Sequence, residues 1–320
     1  MKPFPKGHQH PVYLSLSEEQ WEEKLQRSRE LASPCILCGR RCHAPRFKLS
    51  ISENTRSDAQ PAKGICETQD KAAVSSVEPH FGEEPPLVRH KGSGTIFFAG
   101  CNLKCIYCQN YDLAHHYRGK EVNDEELGQL MLQVQELGCH NVNLVSPTHV
   151  VPNIIAAVRL ATRQGLRIPL VYNTGGYDSL ETIKVLEGVV DIYMPDMKYG
   201  DPEPAKNFSG ADDYPEINFA AVKEMHRQVG DLVIGENNVA VRGLLVRHLV
   251  LPGGVAGTKK VMEFLANNVS RDTYVNIMAQ YRPCYKAVGH PQLGRRIKDA
   301  EYLQALEIAA ETGLRRIQAL

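Results

Sequence analysis

Cys101, Cys105 and Cys108 stand in a C-x3-C-x2-C spacing inside Gly100-Cys101-Asn102-Leu103-Lys104-Cys105-Ile106-Tyr107-Cys108-Gln109-Asn110, directly after the apolar run Thr95-Ile96-Phe97-Phe98-Ala99. Three thiolates can hold three irons of a cubane and leave the fourth iron open to a small molecule. Clusters that only carry electrons or brace a fold are normally held by four cysteines, so a set of three points to chemistry at the open iron. The competing reading is a zinc loop or three buried thiols. Zinc sites usually bring a second C-x2-C pair, and none follows Cys108. Upstream lie Cys35, Cys38, Cys42 and Cys66. Four thiolates complete one metal centre and leave no open position, which suits a structural or electron-relay role. Zinc and iron–sulfur both fit that set. Cys139 reads as a buried thiol at a helix end, and Cys284, beyond the last strand, as a candidate reactive group. The histidines form no evident metal set, and His115 and His116 read as exposed loop residues.

Composition bounds the setting. The chain has 320 residues, 42% of them hydrophobic, enough for one large α/β domain with an appendage. Lys+Arg and Asp+Glu are both 37, so no global field favours nucleic acid or an anionic membrane surface. No apolar run approaches the roughly 20 residues of a bilayer span, and Met1 to His8 lack the apolar segment of a signal peptide. Seven of the nine cysteines fall in two clusters, a pattern of metal binding rather than disulfides. These features together predict a cytoplasmic, reducing setting.

The elements that must position these groups follow from periodicity. Residues 18–31 read as an amphipathic helix with Ser17 and Gln20 placed as a capping box. Residues 41–64 show little strand or helix periodicity, so residues 1–90 are expected to form a small metal-stapled module, with 79–86 as a linker or covering loop. From residue 91 onward apolar strand candidates fall at 94–99, 141–145, 168–172, 189–194, 243–250 and 274–279, as expected for parallel strands buried on both faces. Helices are expected between them, starting after Asn123, at Pro152, over 215–229, after a Thr258 cap and over 299–312. In such parallel architectures functional groups gather at the C-terminal strand ends, where the cysteine loop begins.

The cysteine loop resembles that of the radical S-adenosylmethionine (radical SAM) superfamily, in which the three cysteines hold a [4Fe-4S] cluster. From about Lys91 onward the chain resembles the pyruvate formate-lyase activating enzyme branch. The match is carried by Gly92-Ser93-Gly94-Thr95-Ile96-Phe97-Phe98, the cysteine loop, Val171-Tyr172-Asn173-Thr174-Gly175-Gly176-Tyr177, Val190-Asp191-Ile192-Tyr193-Met194-Pro195-Asp196-Met197-Lys198 and Leu245-Val246-Arg247-His248-Leu249-Val250-Leu251-Pro252. The resemblance implies an α/β fold, an open partial (β/α)6 barrel over residues 91–320. It also implies S-adenosylmethionine bound at the open iron and split, after one-electron reduction, to methionine and a 5′-deoxyadenosyl radical. Tyr107 would lie near the adenine, and Asn173 and Gly175 would meet the cofactor at a strand end. Asp196 and Lys198 match an Asp-x-Lys of the relatives, with the lysine near the cofactor carboxylate. Arg247 would face the barrel interior and His248 the opposite face. The chain departs from the branch where Gly-Gly-Glu should hold the methionine amino group. Ser146-Pro147-Thr148-His149 stand there instead, with Ser146 and Thr148 as candidate contacts. Met278-Ala279-Gln280-Tyr281 replaces a Pro-Tyr-His, which puts Gln280 and Tyr281 forward as substrate-side candidates.

The expected activity is reductive cleavage of S-adenosylmethionine followed by hydrogen abstraction. The substrate implied by the resemblance is a glycine Cα in a partner glycyl-radical enzyme. Six strands would leave the barrel open along one side to a peptide loop, with Glu83 to His90 bordering the mouth. The reductant would be a flavodoxin or ferredoxin. The alternatives are radical modification of a small molecule or peptide, and a non-catalytic iron–sulfur protein.

Overall fold

Apolar runs that are buried on both faces build one sheet. The computed structural model describes residues 10–47 and 63–319. In chain order the strands are β1 (Ala72–His80), β2 (Ser93–Phe98), β3 (Lys120–Val122), β4 (Val142–Val145), β5 (Leu170–Thr174), β6 (Ile192–Pro195), β7 (Val233–Ile234), β8 (Ala240–Leu249), β9 (Tyr274–Met278) and β10 (Arg316–Ala319). Their spatial order is β10-β9-β8-β6-β5-β4-β2-β1-β3, with β7 against β8. The six runs expected from the sequence become β2, β4, β5, β6, β8 and β9, all parallel to one another. The sheet is open, with β3 at one edge and β10 at the other.

Helix ends follow their caps. Ser17 and Gln20 form the expected box at the start of Glu18–Ala32, through Ser17 N to Gln20 Oε1 at 2.8 Å and Gln20 N to Ser17 Oγ at 3.3 Å. Asn123 and Glu126 do the same for Asp124–Glu136. Thr258 is not a cap. Gly257, at φ +67°, occupies that position, and the Thr258 hydroxyl lies 3.0 Å from His248 Nε2 instead.

The sheet extends past both expected limits. β1 pairs antiparallel with β2, from Val74 opposite Phe98 to His80 opposite Ser93. Residues 79 and 80 are therefore strand rather than linker, and a short helical turn, Pro85–Val88, follows. β10 adds a seventh parallel strand beside β9. The expected boundary at residue 90 cuts through this arrangement. Tyr13, Trp21, Leu25 and Leu31 share one core with the barrel helices, each large side chain contributing about 1.5–3 kcal/mol by burial. Val12 N donates to Asp191 Oδ1 at 2.7 Å and Tyr13 OH to the Ile168 carbonyl at 2.8 Å. Among the described residues no helix is long and apolar enough to cross a membrane.

Candidate active site

The strand ends converge on a cavity of about 420 Å³, within the range of small-molecule sites. Its wall includes Cys101, Cys105, Cys108, Tyr107, Ser146, Thr148, Asn173, Gly175, Asp196, Lys198, Arg247 and Gln280. Residues from five strand ends and one loop thus meet as the sequence pattern proposes. Tyr281, Cys284 and His248 do not line it. Tyr281 is buried, and its hydroxyl donates to the Leu293 carbonyl at 2.7 Å. Cys284 is buried away from the cavity.

The cysteine loop leaves β2 through Gly100, at φ +89°, where a Cβ would stand 2.4 Å from the Cys66 carbonyl oxygen. Only glycine fits that approach. Each of the three sulfurs has a hydrogen-bond donor. Leu103 N–H lies 3.4 Å from Cys101 Sγ, Ser209 Oγ 3.0 Å from Cys105 Sγ, and the Asn110 N–H serves Cys108. Burial raises the Cys105 thiol pKa, with Lys198 drawing it partly down. Burial, then the neighbouring Cys101 and Cys105, pushes Cys108 up to about 12. Without a cation the Cys105 and Cys108 thiols stay protonated. A cluster's positive irons would stabilise thiolates, and the three donors suit the sulfurs that result. Among the described residues no three His, Cys, Asp or Glu side chains stand grouped as a metal requires, so the thiols must turn together on binding.

Opposite the loop lies a charged chain. Asp196 Oδ2 is 2.5 Å from Lys198 Nζ and Oδ1 is 2.9 Å from Arg247 Nε. Arg247 Nη2 reaches Asn173 Oδ1 at 2.6 Å and Nη1 reaches Glu83 Oε2 at 3.4 Å. Burial alone would raise the Asp196 carboxyl, but Arg247 and Lys198 outweigh it and hold the pKa below the usual value. Glu83 goes the other way, since burial outweighs the help from Arg247. Period-2 alternation along β8 sends Arg247 to the cavity and His248 to the other face, where His248 Nδ1 lies 2.7 Å from the Met197 carbonyl. Burial lowers the His248 pKa to about 4, so the ring is neutral.

Ser146 occupies the place of the missing Gly-Gly-Glu with φ +58°, an uncommon conformation for a non-glycine residue. Its N–H donates to the Asn173 carbonyl at 2.9 Å. The Thr148 hydroxyl is 3.2 Å from that of Thr174, which donates to buried Asp178 at 2.7 Å. His149 faces away from the cavity. Its Nε2 lies 2.9 Å from the Ala99 carbonyl, and burial lowers its pKa to about 4. His115 is not a free loop histidine, since its Nε2 sits 3.1 Å from the Cys105 carbonyl.

Two positioning residues carried no sequence motif. The Tyr214 hydroxyl accepts the Lys198 N–H at 3.0 Å and lies 2.9 and 3.0 Å from the Gly175 and Asp196 carbonyls. Asn218 Nδ2 lies 3.0 Å from both the Gly176 and Asp196 carbonyls. Both come from the helix Tyr214–Val229, whose partners are distant in sequence.

The family description "Radical SAM superfamily" matches residues 95–235. An uncharacterized protein of Methanocaldococcus jannaschii is 31% identical over 301 residues, covering 91% of this chain and 78% of that one. The chain belongs to the radical SAM superfamily. A pyruvate formate-lyase-activating enzyme of Clostridium pasteurianum is 26% identical to this radical SAM protein over 198 residues, covering 59% of this chain and 74% of that one. Among solved structures, methylornithine synthase (PylB) aligns at TM-score 0.45 and 14% identity over 70% of this chain. HydG, a maturase of the [FeFe]-hydrogenase, aligns at TM-score 0.46 and 12% identity over 68%. The radical SAM chain spans 63% and 49% of those two chains, less than two thirds of either. Family membership implies a [4Fe-4S] cluster and S-adenosylmethionine, and the cavity wall with Cys101, Cys105 and Cys108 fits both.

Proposed function

We propose that this radical SAM enzyme takes a hydrogen atom from a glycine Cα of a partner protein. Cys101, Cys105 and Cys108 would hold a [4Fe-4S] cluster, which when reduced would supply the electron for reductive cleavage of bound S-adenosylmethionine. The chain's own groups position the reactants. Lys198, held by Asp196, offers its ammonium to the cofactor carboxylate. Tyr107, braced edge-on by Tyr199 and Tyr281 at centroid distances of 6.4 and 6.0 Å, offers its ring beside the adenine. A one-electron donor of the flavodoxin or ferredoxin class, in a reducing cytoplasm, would supply the cluster.

The observation that carries the reading is the joining of Asp196, Lys198 and Arg247 to the three cysteines in one cavity, in a chain related to a pyruvate formate-lyase-activating enzyme. The open sheet supports it, because an unclosed barrel leaves a side for an extended peptide. The test is anaerobic reaction with S-adenosylmethionine, a reductant and a candidate partner. Electron paramagnetic resonance should show a glycyl doublet that collapses when the glycine carries deuterium at Cα. A silent partner, with label passing instead from a metabolite into 5′-deoxyadenosine, overturns the activase reading.

A further inference from the structure

The four upstream cysteines meet on the outer side of the cluster loop. Cys35, Cys38, Cys42 and Cys66 line one small cavity together with Arg40, Asn102 and His149. The segment carrying the first three is a tight turn. Cys35 N donates to the Ala44 carbonyl at 3.1 Å and His43 N to the Cys35 carbonyl at 2.9 Å. The fourth limb closes on it. A Cβ at Gly64 would stand 2.7 Å from Cys42 Sγ, and Arg46 ties its own segment to the Gln69 carbonyl at 2.8 and 3.1 Å.

The Cys35 and Cys38 sulfurs are furnished as ligands. The N–H two residues on serves each sulfur of the C-x2-C pair, Leu37 for Cys35 and Arg40 for Cys38, and the Asn102 amide also serves Cys38. Such donors offset the excess negative charge of a metal tetrathiolate. Arg40 and Arg46 add positive charge nearby, where a divalent ion with four thiolates carries two negative charges. Buried thiols serving only as apolar filling would need none of this. The cavity is small, about 10 Å³, and a single ion asks less rearrangement of its walls than the eight atoms of a cubane. As at the cluster loop, the thiols must turn inward together to grip an ion.

We propose that Cys35, Cys38, Cys42 and Cys66 bind one zinc ion as a tetrathiolate, and that this site braces the cluster loop from behind. The brace is visible in the contacts. Asn102 adjoins Cys101, and its amide bridges Cys38 and the Tyr177 carbonyl. Gly100 packs on the Cys66 carbonyl. Arg40 donates to the carbonyls of Asn102, Leu103, Ser209 and Gly210. Glu67 pairs with Lys104 inside the loop. Ordering the four thiols on one ion therefore fixes the Gly100–Leu103 limb that presents Cys101.

The test removes the other cluster and so does not depend on the proposed reaction. The full chain carrying Cys101→Ala, Cys105→Ala and Cys108→Ala should contain about one zinc per chain by elemental analysis. After zinc removal the same protein should take one equivalent of cobalt(II), with the intense visible bands of a tetrahedral tetrathiolate, and release it to zinc. Absence of zinc together with absence of that spectrum overturns the site, and iron with acid-labile sulfide overturns the zinc assignment. The brace has its own readout in protein with Cys101, Cys105 and Cys108 intact. Cys42→Ser changes an exposed thiol, and should make the reconstituted cluster bleach several-fold faster under an iron chelator. Bleaching at the unaltered rate overturns the brace.

Discussion

Asp196 is held between two cations, and each would be left costly without it. Replacing Arg247 by Met should destabilise the fold by about 3–5 kcal/mol, because Asp196 and Glu83 lose the charge that compensates them in a buried site; denaturant unfolding measures this, and an unchanged midpoint would show the network to be dispensable. At the cluster loop, replacing Cys101, Cys105 or Cys108 singly by Ala should abolish release of 5′-deoxyadenosine from S-adenosylmethionine under reducing anaerobic conditions. His248 gives a pH prediction. Burial lowers its pKa from 6.5 to about 4, so the unfolded chain binds the proton first. Its contribution is fully present above pH 6.5 and is lost as pH falls towards 4. The stability of the protein relative to His248→Gln should fall by about 3 kcal/mol over that window, and a difference that is flat with pH would refute it. Residue identity at the site was legible where type and spacing carry chemistry, as for the cysteines and Asp196-x-Lys198. It was not legible for Tyr214 and Asn218. These act through backbone carbonyls brought near by folding, and nothing local distinguishes them from other helix residues. Tyr281 failed as a cavity candidate because a strand end fixes where a residue starts and not which way its ring turns.

Among elements, the helix Tyr214–Val229 acts as a clamp on two strand ends. Tyr214→Phe removes the hydroxyl shared by β5 and β6 while keeping the ring. It should cost about 1–3 kcal/mol, since the buried Lys198 N–H and Gly175 carbonyl lose their partner; thermal unfolding reads the loss. The six central strands were legible because burial on both faces writes them as unbroken apolar runs. β1 was hidden by Pro79, which reads as a linker. The proline is tolerated because β3 pairs only with Ala72 to Val74, leaving that edge free at residue 79. β10 has four residues, only partly buried, and carries no pattern long enough to read.

At the scale of the molecule, the N-terminal segment is built into the barrel's core rather than attached to it. The chain's single tryptophan, Trp21, sits in that segment and is 3% exposed. Its fluorescence therefore reports the N-terminal helix, whereas far-ultraviolet circular dichroism is dominated by the barrel. The two probes should give coincident denaturant transitions, and a fluorescence change well before the dichroism change would restore the two-domain division that composition suggests. Sequence suggested that division because a polar, cysteine-rich stretch separates the first helix from the strands, and long-range packing across such a stretch leaves no periodic trace. Glu83 illustrates what that packing makes available. It enters the cavity from the chain that precedes β2, outside the repeating strand–helix units that carry the cysteines, Lys198 and Arg247. Exchanging residues 79–84 would thus change what the inner end admits without rewriting any loop that carries the cluster ligands, one ignition chamber serving interchangeable inlets.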